Sequence, residues 1–490
     1  MTALRTTGER WEQFVAGDWS EASDGRVFED TDPYTGEVVA EVPAGTGDDA
    51  RRAIDAAAEA FPAWSRTPPA VRHGIFLQAA DALERRRDEV VSLLARETGC
   101  TFGFGMFQLQ FVPNLLRQAA GLAYAPLGEV LPSDTGAFAM GVRRPVGVVG
   151  AIAPWNAALI LSARSIAAPL ALGNTVVLKP SELSPIVGGL LWGEIFTEAG
   201  LPPGVLDIVA HAPGEAAAIG NELVEDPRVR RLNFTGSTAT GRRLAEAAGR
   251  QLKRVVLELG GYNPLIILAD ADLEYAVNAS AFGAYLHQGQ ICMSARRIIV
   301  ERAVADDFSS RLAEKTAGLK AGDPKHPDTI IGPLITAQAL ETVKHRVDDA
   351  VRGGARVLAG GEQEGPCYRA TLLRDVPADS ELAQEETFGP VATLEIVESA
   401  AAAVERANAT AYGLSSGIIT TDPDRGLALA QQIDAGIVHI NDQPVADEPQ
   451  MPFGGVKDSG FGRFGGTAAI SEFTDLRWIT VQREPHPFPF

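Results

Sequence analysis

The stretch VGVVGAIAPWNAALILSARSIAAPLALGNTVVLKPS, residues 146–181, decides the fold. It opens with a near-continuous apolar run, continues as an alanine- and leucine-rich segment that ends at a glycine, and closes with a second apolar run. A strand that is apolar along its whole length is buried on both faces, as in a parallel sheet covered by helices. The stretch therefore predicts a strand–helix–strand unit of an α/β fold.

The same alternation extends outward over residues 144–259. Further helix-like and strand-like segments follow one another there: helices at 185–200, 214–224 and 238–249, and strands at 204–210, 229–237 and 253–261. This order predicts a doubly wound parallel sheet, which binds nucleotides at the carboxyl ends of its strands.

A second alternating series runs from residue 263 to about residue 472 and predicts a second α/β domain. Its predicted helices and strands are helices 273–286, 304–319, 338–351 and 400–408, and strands 263–269, 296–301, 391–397, 412–421 and 436–441. Residues 133–144 and the tail from 473 onward are β-rich additions. Residues 48–96 precede the first sheet and have helical spacing.

Charge and composition exclude several classes of protein. A net charge of −20 argues against non-specific binding of nucleic acid or anionic membranes. Apolar runs are interrupted well before the length of a membrane span, and residues 1–11 carry Arg5, Glu9 and Arg10, so we expect neither a span nor a signal peptide. The three cysteines, Cys100, Cys292 and Cys367, are far apart, which argues against disulfides and structural zinc and fits a reducing cytoplasm.

Three motifs carry candidate catalytic side chains. In GQIC, residues 289–292, Cys292 is either a small buried side chain, as most free cysteines are, or an activated nucleophile. In LELGG, residues 257–261, Glu258 is either a solvent-facing or Arg-paired strand end, or a desolvated carboxyl with a raised pKa suited to general-base work. In PWN, residues 154–156, Asn156 either caps a helix or donates to an oxyanion.

Three further motifs suit a nucleotide. LKPSE, residues 178–182, puts a lysine and a glutamate at a strand end, where they can bind ribose hydroxyls. FTGS, residues 234–237, lies at a strand-to-helix turn whose backbone N–H groups suit a pyrophosphate, although it lacks the usual glycine fingerprint. EETFGP, residues 385–390, is either a surface loop or a source of a second ribose-binding carboxylate and an aromatic contact for nicotinamide.

These six motifs occur in this order, and PFGGVKDSGFGR follows at residues 452–463. Together they resemble the NAD(P)-dependent aldehyde dehydrogenase superfamily over residues 10–480. The resemblance implies that the thiolate of Cys292 attacks the aldehyde carbonyl and that Asn156 and the Cys292 N–H hold the oxyanion. It also implies that Glu258 activates the water that hydrolyses the thioester.

The same resemblance implies where the cofactor binds. It places Lys179 and Glu182 at the adenosine ribose, Ser237 near the pyrophosphate, Glu386 at the nicotinamide ribose and Phe388 beside the ring. The full set of expected cofactor-binding residues is Ile152, Pro154, Trp155, Lys179, Ser181, Glu182, Gly236, Ser237, Leu259, Gly260, Glu386 and Phe388. A carboxylate at Glu182 would repel a 2′-phosphate, so we expect NAD as the cofactor, with NADP as the alternative.

The substrate class is inferred from two segments. HQGQICMS, residues 287–294, and NDQPVADEPQMPFGG, residues 441–455, resemble the branch that oxidises benzaldehyde, vanillin and salicylaldehyde. Ala157 is small where many relatives carry an aromatic side chain, which leaves room for a ring. The alternatives are a semialdehyde or aliphatic aldehyde dehydrogenase, a CoA-acylating enzyme, which generally lacks the Glu base, and a non-catalytic structural protein. One departure is Phe464, where many relatives carry a glutamate in a proposed proton relay.

The resemblance also sets the expected organisation. We expect an aldehyde dehydrogenase-like α/β fold with two doubly wound domains and a small β extension. The dinucleotide-binding domain is predicted at residues 1–125 and 146–258, the catalytic domain at 259–472 and the oligomerisation segment at 126–145 and 473–490. Beyond a small-molecule aldehyde, the expected partners are copies of the same chain, in a homodimer or homotetramer.

Overall fold

Two large sheets with parallel interiors organise the chain, as the alternating apolar patterns predict. The structure is a computed structural model that describes residues 10–485 and 487–490. The predicted absence of a signal peptide and the start of the predicted first domain fall on residues 1–9, which lie outside the described residues. Among the described residues, no helix is both long and apolar enough to span a membrane.

The helices of the described chain are α1 Gly47–Trp64, α2 Pro69–Arg85, α3 Arg87–Thr98, α4 Phe102–Leu122, α5 Ala158–Ala171, α6 Leu191–Glu198, α7 Ala216–Glu225, α8 Thr238–Arg250, α9 Leu273–Tyr285, α10 Ala305–Ala317, α11 Ala337–Arg352, α12 Glu381–Gln384, α13 Ala400–Asn408, α14 Pro423–Ala430 and α15 Ala468–Phe473. A π-helical turn, Ile186–Leu190, leads into α6, and a 3₁₀ turn, Leu286–Gly289, follows α9.

The strands are β1 Gln13–Val15, β2 Asp18–Ser20, β3 Val27–Thr31, β4 Val38–Pro43, β5 Gly128–Leu131, β6 Phe138–Pro145, β7 Val148–Ile152, β8 Thr175–Lys179, β9 Leu206–Ile208, β10 Val229–Thr235, β11 Arg254–Glu258, β12 Asn263–Ile267, β13 Ala295–Glu301, β14 Arg356–Ala359, β15 Gln363–Glu364, β16 Cys367–Tyr368, β17 Thr371–Arg374, β18 Val391–Val397, β19 Tyr412–Gly413, β20 Ser415–Ile419, β21 Ile437–Ile440, β22 Val456–Lys457, β23 Gly460–Phe461 and β24 Thr474–Val481.

The first sheet has the order β2-β1-β9-β8-β7-β10-β11-β23. Its interior strands from β9 to β11 pair in parallel, whereas β1 and β23 pair antiparallel at the two sides. Side chains of β7 alternate between two apolar clusters: Val149 and Ala151 join one, and Val148 and Ile152 join the other. The sheet is therefore buried on both faces, as its continuous apolar strands predict.

The second sheet has the order β14-β17-β18-β13-β12-β20-β21. All its strands pair in parallel except β14, which pairs antiparallel with β17 at one edge. Leu265 and Ile267 of β12 face one apolar cluster, and Ile266 between them faces another. This confirms the second α/β unit, and both sheets carry antiparallel strands only at their edges.

The chain returns to the first sheet near its end. Strand β23 pairs with β11, with Phe461 opposite Leu257 and Gly460 opposite Glu258. The predicted boundaries place residues 460–461 in the second domain, but their hydrogen bonds belong to the first sheet. A two-residue strand has too few side chains to show a period of two, so the sequence pattern carries no sign of this return.

A third sheet, β24-β6-β5, forms a separate antiparallel layer. Strand β24 pairs with β6 along its whole length, from Thr474 opposite Pro145 to Val481 opposite Phe138. This is the small β extension predicted from residues 126–145 and 473–490. It leaves several apolar side chains exposed, among them Val130, Leu476 and Trp478, the last with 76% of its surface accessible.

Candidate active site

Four neighbouring parallel strands, β8, β7, β10 and β11, bring the predicted motifs to one edge of the first sheet. Lys179 at the end of β8 lies opposite Ile152 at the end of β7, and Thr235 at the end of β10 lies opposite Glu258 at the end of β11. The carboxyl ends of parallel strands share one edge, so the segments that follow them converge. The structure thus brings LKPSE, PWN, FTGS and LELGG together.

The segment before Cys292 has a left-handed backbone. His287 and Gln288 have φ angles of 50° and 54°, a conformation that costs free energy for residues with a Cβ. Neighbouring segments hold this conformation: Gln288 Nε2 donates to the carbonyl of Pro333 at 3.0 Å, and Gln290 Oε1 accepts from the N–H of Ile335 at 3.0 Å. The loop that carries the thiol is therefore fixed by bonds to the chain around it.

Two glycines after β11 allow this loop to approach. A Cβ at Gly261 would lie 2.3 Å from the carbonyl oxygen of Cys292, and a Cβ at Gly260 would lie 2.5 Å from Oε2 of Glu386. Asn263 Nδ2 donates to the same Cys292 carbonyl at 2.8 Å. The glycine pair thus lets the end of β11 touch both the cysteine loop and the loop that carries Glu386.

The carboxyl of Glu258 is buried, with 2% of its surface exposed. Neither of its oxygens has a hydrogen-bond partner among the described residues. Burial raises its pKa well above the usual range, and the positive charges of Arg164 and Arg463 only partly oppose the rise. Burial thus raises the pKa in the direction expected for an isolated Glu at the end of an apolar strand, and a raised pKa favours proton uptake.

The thiol of Cys292 is partly buried and protonated at rest. Burial raises its pKa to about 12, the carboxylates of Glu386 and Glu258 add to the rise, and Arg164 opposes it. No group of the free protein lowers the thiol pKa below its ordinary value. Formation of the thiolate therefore needs a proton acceptor or a positive charge that arrives with the ligands.

Asn156 follows β7 and reaches the cysteine loop. Its side chain is 5% exposed, and Nδ2 donates to the backbone carbonyl of Gln290 at 3.0 Å. An amide nitrogen carries two hydrogens, so one remains for another acceptor. Ala157, the next residue, is buried at the start of α5.

At one end of the sheet edge, a lysine, a histidine and a glutamate form a cluster. Lys179 Nζ lies 2.6 Å from Nε2 of His211, and Oε2 of Glu182 lies 3.7 Å from the same nitrogen. Burial lowers the pKa of Lys179 to about 8. Ser181 donates to Glu182 at 3.3 Å. A cation and a carboxylate side by side fit the two hydroxyls of a ribose.

Near the cysteine loop, a second carboxylate and two aromatic rings lie together. Glu386 Oε1 accepts from the N–H of Gly261 at 3.2 Å. The Phe388 ring meets Trp155 edge to face, with centroids 5.6 Å apart.

The N-terminus of α8 is a further candidate cofactor contact. Ser237 caps this helix, and its N-terminus suits a pyrophosphate. These groups fit a nicotinamide dinucleotide that runs along the sheet edge.

The remaining expected cofactor residues lie at the same edge. Ile152 ends β7 and Pro154 follows it, and Leu259 follows β11 and donates its N–H to the Ser459 carbonyl at 3.1 Å. Gly236 follows β10 and donates its N–H to the carbonyl of Glu258 at 3.0 Å.

An ion pair lies beside a cavity that is lined by aromatic side chains. Arg164 of α5 is 6% exposed, pairs with Asp447 and places its guanidinium 4.2 Å from the centre of the Phe453 ring. Asp447 and Phe453 line a cavity of about 620 Å³, together with Phe107 and Phe282. The charges of Arg164 and Asp447 both act on the pKa of Cys292, and Asp447 also lines the cavity.

Comparison with known proteins identifies the family. Residues 19–479 match the aldehyde dehydrogenase family. The chain is 49% identical to vanillin dehydrogenase from Pseudomonas fluorescens, over 97% of this chain and 98% of that one. It is 42% identical to benzaldehyde dehydrogenase [NAD(+)] from Pseudomonas putida, over 99% and 100%. The crystal structure of salicylaldehyde dehydrogenase from Pseudomonas putida G7, complexed with salicylaldehyde, superposes with a TM-score of 0.96 at 40% identity, over 99% and 100%.

The chain belongs to the aldehyde dehydrogenase family. It is an oxidoreductase that uses NAD(P) to oxidise an aldehyde, and its fold is the aldehyde dehydrogenase fold. The resemblance inferred from the six ordered motifs is confirmed.

In this aldehyde dehydrogenase, Phe464 stands at the position where the family resemblance implies a proton-relay glutamate. This side chain is buried, and its ring packs on Phe473 with centroids 6.2 Å apart. Its backbone pairs with Phe453 through hydrogen bonds of 2.9 Å in both directions. The position therefore belongs to the apolar core and supplies no carboxylate to the site.

Two polar side chains of the site were not predicted from the sequence. Arg164 is the one charged residue of α5, an otherwise apolar helix, and this isolation is a signal that sequence analysis could have used. His211 follows β9 in a turn, where its sequence neighbours give no sign of a contact with Lys179. Contacts of this kind depend on the order of the strands in space.

Proposed function

We propose that this aldehyde dehydrogenase oxidises an aromatic aldehyde to its carboxylic acid. The observation that carries the proposal is a cavity with Phe107, Phe282 and Phe453 in its wall, which is also lined by Asp447, a residue whose charge acts on Cys292. Aromatic rings favour other rings at edge or offset geometries. Ala157 beside Asn156 adds little bulk, and relatives named for vanillin, benzaldehyde and salicylaldehyde support the same substrate class.

The acylation half of the reaction uses three side chains. Cys292 Sγ attacks the carbonyl carbon and its proton passes to the buried Glu258, whose charge acts on the thiol. The free N–H of Asn156 and the Cys292 N–H hold the oxyanion. When bound, the oxidised nicotinamide supplies a hydride acceptor and a positive charge. Loss of hydride leaves a thioester on Cys292.

The deacylation half uses water. Glu258 takes a proton from the water, the resulting hydroxide adds to the acyl carbon, and the Cys292 sulfur leaves and regains a proton. A positioned base of this kind typically accelerates such a step by about 10²–10⁴-fold. The retention of Glu258 supports release as the free acid rather than transfer to a thiol such as CoA.

We also propose that NAD is preferred over NADP. Glu182 and Lys179 both contact His211, so they lie close to each other. A 2′-phosphate bound there would meet a carboxylate as well as a cation. Two like charges in a partly buried site repel by about 1 kcal/mol or more, which corresponds to about fivefold or more in affinity. A higher kcat/KM with NADP than with NAD would overturn the proposed preference for NAD.

The three-stranded sheet supports a homo-oligomer. Leu476 and Trp478 expose 59% and 76% of their surfaces on β24, and Val130 exposes 69% on β5. An exposed apolar surface of this kind favours association with another protein surface. We infer that a second copy of this chain covers it in a homodimer or homotetramer.

We infer a reducing compartment, the cytoplasm, as the site of action. Cys100, Cys292 and Cys367 are all free, and the first and last are buried. A free active-site thiol persists where thiols are kept reduced.

A substrate panel tests the proposed function. Benzaldehyde, vanillin and salicylaldehyde are compared with hexanal and succinic semialdehyde, with NAD or NADP, by the absorbance of reduced nicotinamide. We expect kcat/KM to be at least about tenfold higher for the aromatic aldehydes, which corresponds to about 1.4 kcal/mol. Cys292→Ala should abolish the reaction, and Cys100→Ala should leave it unchanged. Acyl-CoA formation on addition of CoA would favour the acylating alternative.

A further inference from the structure

Arg296 is a buried cation next to the active site that no catalytic step above uses. It is the second residue of β13, and 2% of its surface is exposed. Its Nη2 donates to the carbonyls of Gly289 at 2.8 Å and Ile291 at 3.3 Å. Both acceptors lie in the loop that carries Cys292. The side chain therefore turns back from the strand and holds the loop just before it.

The same guanidinium also reaches the loop that carries Glu386. Nη1 donates to the carbonyl of Gly389 at 3.4 Å, and Nη2 lies 3.9 Å from Oε1 of Glu386. The Cζ atom of Arg296 lies 5.6 Å from the centre of the Phe388 ring. Arg296 thus contacts the cysteine loop on one side and the expected nicotinamide-ribose loop on the other.

The charge of Arg296 acts on Glu386. Burial raises the pKa of that carboxyl, and Arg296 is the first of the groups that lower it, followed by the N–H of Gly261 and by Arg346. A buried guanidinium is costly unless its donors find acceptors. Here Nη1 and Nη2 donate to backbone carbonyls of two loops, while Nε has no partner among the described residues, so the side chain links the two loops.

We propose that Arg296 is a positioning residue that fixes the Cys292 loop relative to Glu386 and the Phe388 ring. The thiol and the nicotinamide ribose then keep one geometry during hydride transfer, in which a displacement of about 1 Å can cost about 10²-fold in rate. The inference rests on the proposed function, because it takes the roles of Cys292 and Glu386 from there.

The next residue, Arg297, supplies a matched control. It is buried to the same extent, 2%, but pairs with Glu395 through bonds of 2.8 and 3.3 Å and lies 5.3 Å from the centre of the Tyr262 ring. Its other hydrogen bond goes to the carbonyl of Arg406 at 2.8 Å, so among the described residues its hydrogen bonds do not reach the cysteine loop. A substitution of Arg297 therefore shows the effect of losing a buried arginine from β13 without losing the hydrogen bonds to the cysteine loop.

The first experiment compares Arg296→Lys, Arg296→Gln and Arg297→Lys in the full-length enzyme. Lysine keeps the charge near Glu386 but lacks the planar fork that bonds two loops. We expect Arg296→Lys to slow the pre-steady-state burst of reduced nicotinamide by about 10–100-fold at saturating substrates, with KM for NAD changed less than threefold. Arg296→Gln should also raise KM for NAD by about tenfold, because Glu386 loses a charge partner. Arg297→Lys should change neither quantity.

A double-mutant cycle with Glu386→Gln measures the coupling directly. We expect the effects of Arg296→Lys and Glu386→Gln on the burst rate to be non-additive by at least about fivefold, since the two side chains act through one geometry. Circular dichroism and thermal unfolding show that the variants are folded. If Arg296→Gln fails to fold, the lysine variant and Glu386→Gln still complete the cycle.

The outcomes separate the two proposals. A folded Arg296→Lys enzyme with a normal burst, or additive effects in the cycle, overturns the positioning role while the loss of activity in Cys292→Ala upholds the proposed function. An active Cys292→Ala enzyme overturns the proposed function itself. If Arg297→Lys lowers the burst rate as much as Arg296→Lys does, the positioning role is also overturned. The loss would then come from disturbing β13 in general.

Discussion

At Cys292, the resting thiol keeps its proton because burial and two neighbouring carboxylates all disfavour the thiolate. With a pKa of about 12, the thiolate fraction rises about tenfold for each pH unit over the whole range below that value. For an ordinary cysteine with a pKa of about 8.5, the thiolate fraction stops rising about one pH unit above that pKa.

We therefore predict that alkylation of Cys292 by iodoacetamide in the free enzyme keeps accelerating from pH 7 to at least pH 10. The rate is measured by mass spectrometry of the peptide that contains Cys292, with Cys292→Ala as the control for labelling elsewhere. A plateau at or below pH 9 would show that a positive charge near the thiol outweighs its burial.

Glu258→Gln removes the buried base and keeps the shape of the side chain. We predict that steady turnover falls by about 10²–10⁴-fold, because water then attacks the thioester without a base. A burst of reduced nicotinamide should remain but be slower than in the wild type at neutral pH, and it should accelerate with pH because the thiol must then ionise without Glu258. Mass spectrometry after one turnover should show the acyl group on Cys292. Normal steady turnover would mean that another residue activates the water.

Among the elements, the turn after β11 sets how close the two functional loops come. We predict that Gly261→Ala lowers kcat/KM by at least about 10²-fold, because its Cβ would press on the Cys292 carbonyl and displace the thiol. Gly249→Ala in α8 is the matched control, since no atom lies within 4 Å of a Cβ there. It should leave the kinetics unchanged and leave the melting temperature unchanged or higher. Full activity of Gly261→Ala would show that the loop can move away.

Strand β9 carries a buried carboxyl that depends on pH. Asp207 accepts from the N–H of Ala16 at 2.7 Å, its second oxygen has no partner among the described residues, and burial raises its pKa to about 7. An unfolded aspartate titrates near pH 3.9. As the pH rises from that value to about 7, the free energy of unfolding therefore falls, in total by on the order of 4 kcal/mol. Below pH 3.9 this loss is absent.

Asp207→Asn keeps the acceptor for Ala16 and removes the titration. We predict a melting temperature close to that of the wild type at pH 4.5 and clearly higher at pH 8, measured by differential scanning calorimetry in matched buffers. A difference that does not change between the two pH values would contradict the buried titration.

Sequence patterns predict elements with long apolar runs and miss those that depend on distant partners. Strands β7, β8 and β10 follow from their continuous apolar runs. Strand β23 could not be predicted, because only its pairing with β11 defines it. The site follows the same rule: Cys292, Glu258 and Asn156 stand in motifs, whereas the contact of His211 with Lys179 exists only once β8 and β9 are neighbours.

At the scale of the whole molecule, the exposed face of β24 tests the inferred oligomer. We predict that the double substitution Leu476→Arg and Trp478→Arg lowers the mass measured by analytical ultracentrifugation to that of a smaller assembly. Leu252→Arg is the control, because Leu252 is 94% exposed on a turn outside this sheet. An unchanged mass in the double variant would show that copies of the chain associate through another surface.

The late return of β23 to the first sheet also bears on synthesis of the protein. Ribosomes add about 5–20 residues per second, so the roughly 200 residues between Glu258 and Phe461 take about 10–40 s to emerge. During that interval the nascent first sheet has its parallel strands, but β11 still presents an unpaired edge. An open strand edge is a template for wrong pairing. Translation of this chain thus includes a period in which the open edge of β11 can pair wrongly, and a ribosome that stalls after residue 259 leaves that edge open.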